Sequence, residues 1–240
     1  MKRLLLGPRA VTEGLRAAPE RIAVIYAEPE QRTALTDLLT LAREREVRCE
    51  PRPRPELDAL ADGARHQGVL AITGEYSYLS LHELLAAAGE KPLFVALDQV
   101  TDPHNFGAIV RTAVALGASG VVTLKDRAAP VTSAVVRASA GATELARIAR
   151  VTNLARTLAE LRETGFQVVG LDAEGSVELH SVPGSGKGRV LVVGSEGSGL
   201  RRMTRQQCDV LARIALVGPL RSLNASVAAG IAIYQSLRPR

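Results

Sequence analysis

The sequence predicts an α/β protein in two parts, a small N-terminal α/β domain and a larger domain with a mostly parallel sheet. Three observations predict it. Short β-branched apolar runs alternate with stretches of helical spacing along most of the chain, the pattern of strand and helix units. The run LFVALD at 93–98 is apolar up to its last residue, as a strand buried on both faces must be. The stretch before it carries weak strand signals and ends Gly89-Glu90-Lys91-Pro92, which sets the divisions at 1–75, a linker at 76–90 and 91–240.

In chain order, Gly7-Pro8 opens a helix reaching Ala17, and RIAVIYA at 21–27 is a strand. Leu35, Leu38, Leu39 and Ala42 recur at helical spacing within a helix expected over Glu30–Glu46. A short strand near Val47 precedes Pro51-Arg52-Pro53-Arg54-Pro55, which must be extended. A helix from about Glu56, a strand at 69–73 and a short helix at 81–88 follow. Beyond LFVALD, strands are expected at 120–124, 146–151, 167–171, 190–194 and 210–216, with helices between most of them. In such sheets ligands sit beyond the carboxyl ends of the strands.

Of the 240 residues, 46% are hydrophobic and 23% charged, which excludes a disordered or fibrous chain. Aromatics are only 3%, so a surface that works by stacking bases on exposed rings is poorly supplied. Lys and Arg total 30 against 25 acids, and only four of the cations are Lys. An arginine-rich chain with pI about 9.6 suits a polyanionic partner, although GC-rich coding gives the same composition. Cys49 and Cys208 stand far apart without a CxxC pair, which points to packing residues in a reducing compartment rather than to zinc or a disulfide framework. The opening Leu4-Leu5-Leu6 run is too short for a signal sequence or a membrane span, so a cytoplasmic location is expected.

Three loops in the second half carry polar residues where chemistry could sit. The first runs Asp98 to Ala108 and holds His104 and Asn105, with Asn105 read as the cap of the helix bearing Arg111. The second, Gly194-Ser195-Glu196-Gly197-Ser198-Gly199, places a carboxylate in a glycine-rich turn. The third, Gly218 to Ser226, contains Ser222 and Asn224 ahead of the small-residue helix VAAGIAIYQSL. Each alone also fits a plain capped helix or turn. Gly184-Ser185-Gly186-Lys187-Gly188 lacks the leading Gly and the Ser or Thr of a phosphate loop, and GxxGxG at 194–199 reverses a dinucleotide fingerprint. The four His are scattered without metal-ligand spacing, so no metal is expected.

Taken in order, DPHNFGAIVRTA (102–113), LVVGSEGSGL (191–200) and SLNASVAAGIAIY (222–234), with ASAGA (138–142), resemble the motifs of the SpoU, or TrmH-like, branch of the SPOUT RNA methyltransferases. GPRAVTEGLRA (7–17) and HQGVLA (66–71) are more loosely similar to the L30e-like RNA-binding domain of ribosomal RNA members. The resemblance implies methyl transfer from S-adenosylmethionine to a ribose 2′-hydroxyl of structured RNA, most often a guanosine in 23S rRNA. It also implies a homodimer with the site between subunits and a trefoil-knotted C-terminal segment. It places Gly194, Ile214, Leu216, Leu223 and Asn224 at the cofactor, and Asn105, Arg111, Glu196, Ser222 and Asn224 around the reacting hydroxyl.

A guanidinium is always protonated and cannot act as base; Arg111 stabilises developing alkoxide or grips a neighbouring phosphate. Glu196 is the better base, or else an anchor for Asn105 or Arg111, and His104 is a third candidate. Ala215 and Leu216 stand where many relatives have Pro and Met, and Phe106 replaces a common Leu. Helix 227–237 suits a dimer interface and equally an ordinary core. The rival readings are a tRNA ribose methyltransferase, a non-catalytic ribosome-assembly factor of the same fold, and an unrelated nucleotide enzyme that NAD or ATP would stabilise.

Overall fold

The structure is a computed structural model that describes residues 3–184 and 186–237. Ser185, part of the glycine-rich 184–188 stretch, lies outside the described residues. The chain forms two compact units, residues 1–77 with 130–145, and residues 78–129 with 146–240.

The first unit runs β1 (Arg3–Leu6), α1 (Pro8–Ala17), β2 (Ile22–Ala27), α2 (Thr36–Glu44), β3 (Cys49–Pro51), α3 (Arg54–Leu60) and β4 (Val69–Thr73). Its sheet has the order β1-β4-β2-β3, with β4 antiparallel to β1 and β2, and β3 parallel to β2. Leu5, Val11, Leu15, Ile25, Leu57 and Leu70 are fully buried in this unit. Strand β1 was not expected: its apolar residues are Leu4, Leu5 and Leu6 alone, and pairing with β4 makes the strand. The helix expected from Glu30 starts at Thr36, because Pro29–Gln31 forms a 3-10 turn. Strand β3 starts at Cys49 rather than near Val47, and α3 at Arg54. Cys49, read as a packing residue, is exposed on β3.

The second unit opens with α4 (Leu81–Ala86), closed by a reciprocal Ser80–Glu83 capping box. Then come β5 (Leu93–Asp98), α5 (Pro103–Leu116) and β6 (Gly120–Leu124). Residues 130–145, with α6 (Ser133–Ala138), are counted with the first unit. There Ser133 Oγ accepts the Leu4 amide at 2.9 Å, and the nearly buried Arg3 and Glu144 side chains join through two bonds of 2.7 and 3.1 Å. Gly141 sits at φ 86 with the space for a Cβ taken by Ala10 Cα at 2.7 Å, so the ASAGA stretch needs glycine there.

The remaining elements are β7 (Ile148–Val151), α7 (Leu154–Glu163), β8 (Gln167–Leu171), β9 (Val177–Glu178), β10 (Arg189–Gly194), α8 (Arg202–Arg205), β11 (Val210–Arg213) and α9 (Ala225–Leu237). They build a seven-stranded sheet of order β7-β6-β5-β10-β8-β11-β9. Every pairing in it is parallel. Every residue of β5, β6 and β10 is buried, which is why the greater part of each reads as an apolar run. Phe94 and Phe166 meet at 5.7 Å within a core that includes Leu154, Leu158 and Val192. Each such side chain contributes roughly 2 kcal/mol on burial. Strand β11 ends at Arg213, three residues short of expectation, and the two-residue β9 was not foreseen. No helix of the described residues is long and apolar enough to cross a membrane.

Candidate active site

Because the sheet is parallel, its carboxyl ends share one edge, and the polar loops leave from there. Strand β5 ends in Asp98, fully buried, and the chain then turns into α5. The cap of α5 is Asp102, whose carboxylate accepts the amides of His104 and Asn105, with Pro103 at the first helical position. This corrects the reading of Asn105 as the cap. Freed from capping, the buried Asn105 side chain donates from Nδ2 to Glu196 Oε2 at 2.9 Å.

Glu196 stands in the turn that follows β10. Ser195 and Gly199 exchange backbone bonds of 3.2 and 3.0 Å, which closes the turn. A Cβ on Gly194 would collide with the Gly199 carbonyl group, so only glycine lets the two backbones approach. Just beyond the turn, Arg201 donates to Asp98 through its backbone amide at 2.9 Å and through Nε at 2.6 Å. Residues 194–201 are thereby tied to the end of β5.

The third loop leads from β11 to α9. Asn224 Oδ1 accepts the Ser226 amide at 2.9 Å and the Val227 amide at 3.4 Å, so Asn224 caps α9 as the sequence suggested. Its Nδ2 donates to Asn105 Oδ1 at 2.9 Å and reaches Glu196 Oε2 at 3.4 Å. Three residues from three separate segments, Asn105 in the first turn of α5, Glu196 in the turn after β10 and Asn224 before α9, form one polar cluster. The acceptor role of Glu196 Oε2 is filled by the two amides, which leaves Oε1 facing no partner among the described residues.

The other expected site residues are placed differently. Arg111 is exposed on α5 and makes no ion pair among the described residues. It lies six residues after Asn105, which on a helix is about 240° of rotation and 9 Å of rise, and no hydrogen bond or ion pair joins it to the cluster among the described residues. Ser222 is exposed in the loop before α9 and joins no side-chain bond among the described residues. His104 is exposed and takes part only through its backbone amide to Asp102. Ile214 and Leu223 are half-buried, and Leu216 is exposed.

From Ala215 to Leu223 no backbone amide donates to a protein group among the described residues. In the same stretch Leu216, Val217 and Leu220 are exposed, Leu220 to 74%. Unused amides and carbonyls beside apolar side chains are the donor set that suits a heteroaromatic base carrying an amino acid end. The residues present therefore fit a nucleoside-type cofactor held mainly by backbone.

Two residues that the motif reading passed over complete the site's frame, Asp98 and Arg201. A signal was there. An acidic residue ending a fully apolar strand must find a partner when buried. Cys208 packs nearby: burial pushes its thiol up to about 12, and Sγ donates to the Thr204 carbonyl.

A carboxylate held by two side-chain amides stands next to an open loop on the carboxyl edge of a parallel sheet, the place where sheets of this kind bind their ligands. Comparison with known proteins makes this specific. A family model described as SpoU rRNA Methylase matches residues 92–234, and one described as RNA 2'-O ribose methyltransferase substrate binding matches residues 4–79. The chain belongs to the SpoU rRNA methylase family. It is 41% identical over 239 residues, 99% of this chain and 97% of the relative, to the 23S rRNA (guanosine-2'-O-)-methyltransferase RlmB of Bordetella pertussis. It also resembles an AdoMet-bound rRNA methyltransferase from Sinorhizobium meliloti, with TM-score 0.82 and 28% identity, covering 98% of this chain and 86% of that one. The SpoU methyltransferase AviRb from Streptomyces viridochromogenes, in complex with AdoMet, matches with TM-score 0.79 and 26% identity over 98% of this chain and 89% of that one.

Proposed function

We propose that this protein transfers a methyl group from S-adenosylmethionine to the 2′-hydroxyl of a guanosine ribose in 23S rRNA. The observation that carries the reading is the Asn105–Glu196–Asn224 cluster, in a chain that shares 41% identity over nearly its whole length with a 23S rRNA guanosine methyltransferase. The cofactor supplies an electrophilic methyl on a sulfonium. Gly194, Ile214, Leu216 and Leu223 hold it, largely through the unused backbone groups of 215–223. Asn224 shapes that end of the pocket and, with Asn105, orients Glu196.

Glu196 Oε1 takes the proton of the ribose hydroxyl, while the amides keep the carboxylate from turning away. Arg111 stabilises charge developing on the ribose oxygen, and Ser222 hydrogen-bonds the substrate. In-line displacement needs these groups within a fraction of an ångström of the right geometry, which loops tied to three strand ends can provide.

A homodimer completes the site. Val227, Ile231 and Tyr234 form an exposed apolar stripe on α9, at spacing i, i+4, i+7, next to α5. A second copy seated there brings its Arg111 to the cluster. The trefoil knot belongs to the same reading, supported by a strand order in which β10 enters between β5 and β8 and β11 returns outside β8. So do a preference for rRNA over tRNA and a cytoplasmic location.

The test is methyl incorporation from labelled S-adenosylmethionine into unmodified 23S rRNA, wild type against Arg111→Ala. Label in a single guanosine ribose, lost in the variant, is expected. No label together with no cofactor binding overturns the reading in favour of a non-catalytic RNA-binding protein.

A further inference from the structure

A groove of about 690 Å³ lies on the same carboxyl edge as the cluster, between the start of α7 and the segment 201–207. Its lining includes Asn153, Arg156, Arg201, Arg202 and Met203, and no carboxylate lines it. Three guanidinium groups line it, and although two of them pair with acids outside the lining, the groove itself presents cationic donors that suit an anion. The groove sits where β7 ends at Val151, and Arg201 follows the turn that carries Glu196.

The three arginines are differently prepared. Arg201 is held by the buried Asp98 through its amide and Nε, so both of its Nη groups stay unpaired among the described residues. That is a guanidinium oriented in advance, with little entropy left to lose on binding a phosphate. Arg156 pairs with Glu160 through Nε at 2.9 Å in a pair exposed on both sides, which holds it only weakly. Arg202 makes no ion pair among the described residues. Met203, 60% exposed, gives the groove one apolar edge.

We propose that this groove seats the phosphodiester backbone of the substrate RNA next to the methylated nucleotide, with Arg201 as the fixed contact and Arg156 and Arg202 as the adaptable ones. The inference rests on the proposed function for the identity of the polyanion. A target ribose is flanked by phosphates on both sides, so charge on the RNA must pass within a few residues of Glu196. An acidic protein segment is the competing occupant. The lining presents three guanidinium groups and no aromatic side chain, which favours the phosphate backbone.

The experiment measures binding of in vitro transcribed, unmodified 23S rRNA across a salt series for the wild type, the double variant Arg156→Glu with Arg202→Glu, and the control Arg147→Glu. Arg147 is exposed at the opposite, amino end of β7. S-adenosylmethionine binding by calorimetry verifies that each variant is folded. The double variant should bind RNA at least ~10-fold more weakly, and its slope of log affinity against log salt should shrink by roughly 1.5, as for two lost phosphate contacts. Arg147→Glu should match the wild type. Unchanged affinity and slope in the double variant overturn the proposal, as does an equal loss in Arg147→Glu, which reports net charge alone. If the wild type binds RNA but not the cofactor, the methyltransferase reading fails, while loss of RNA in the double variant still supports the groove.

Discussion

Asp98, fully buried at the end of β5, accepts both the backbone amide and Nε of Arg201, 103 residues further along the chain. This pair holds the turn bearing Glu196 against the strand that leads to Asn105.

Asp98→Ala removes both bonds. Bonds to a charged group contribute about 2 kcal/mol together here, at the lower end because the Arg201 side chain is 40% exposed. The melting temperature should fall by about 5 °C in a chain of this size. An unchanged melting curve would show that the tether contributes nothing.

Asn224 has two separable duties, capping α9 and orienting Glu196. Asn224→Ala loses both, with about 1 kcal/mol of stability from the cap and ~100-fold in single-turnover methylation. Asn224→Asp keeps the cap but sets a second carboxylate beside Glu196, so its rate should collapse while its melting temperature holds. Full activity in Asn224→Asp would confine the residue to capping.

Arg111 and Glu196 should complement each other across subunits. Arg111→Ala and Glu196→Ala are each expected to be nearly inactive. If the proposed dimer forms, co-expression gives mixed dimers with one intact site, and activity should recover to roughly a quarter of the wild type. No recovery would place both residues in a single-chain site.

Gly194→Ala forces the 195–199 turn away from β10. Calorimetry should register at least a ~10-fold loss of S-adenosylmethionine affinity, with destabilisation of a few kcal/mol. A variant that binds the cofactor normally would mean that the turn can shift at no cost.

Cys208 titrates at about 12 in the fold, because burial disfavours its thiolate, against an ordinary value of 9.0. A raised pKa stabilises the fold below the unfolded value, and that contribution is lost as pH climbs from about 9 towards 12. The melting temperature should therefore decline across this range less steeply in Cys208→Ala than in the wild type. At pH 8, iodoacetamide should label Cys49, which is on the surface, and leave Cys208 untouched.

The larger sheet was legible in the sequence because β5, β6 and β10 are buried on both faces and so are written mostly in apolar residues. Strands such as β1 and β9 were not, since four and two residues carry no period and only their neighbours define them. Asp102-Pro103 held the signature of a helix cap and first turn, yet Asn105 drew the assignment. The three site loops could be named singly; that Asn105 meets residues 91 and 119 positions away is a property of strand order, which periodicity does not encode. Arg111 marks the reverse case, a residue the motif singles out and one chain leaves apart from the cluster.

The loop between β11 and α9 has a practical consequence. Amides that donate to no protein group exchange with solvent deuterium almost as fast as those of an unfolded peptide, whereas the α9 amides behind them should exchange slowly. A ligand settling on 215–223 would slow that exchange at once. The segment is thus a built-in reporter, and a deuterium uptake map with and without S-adenosylmethionine reads occupancy with no RNA in the sample.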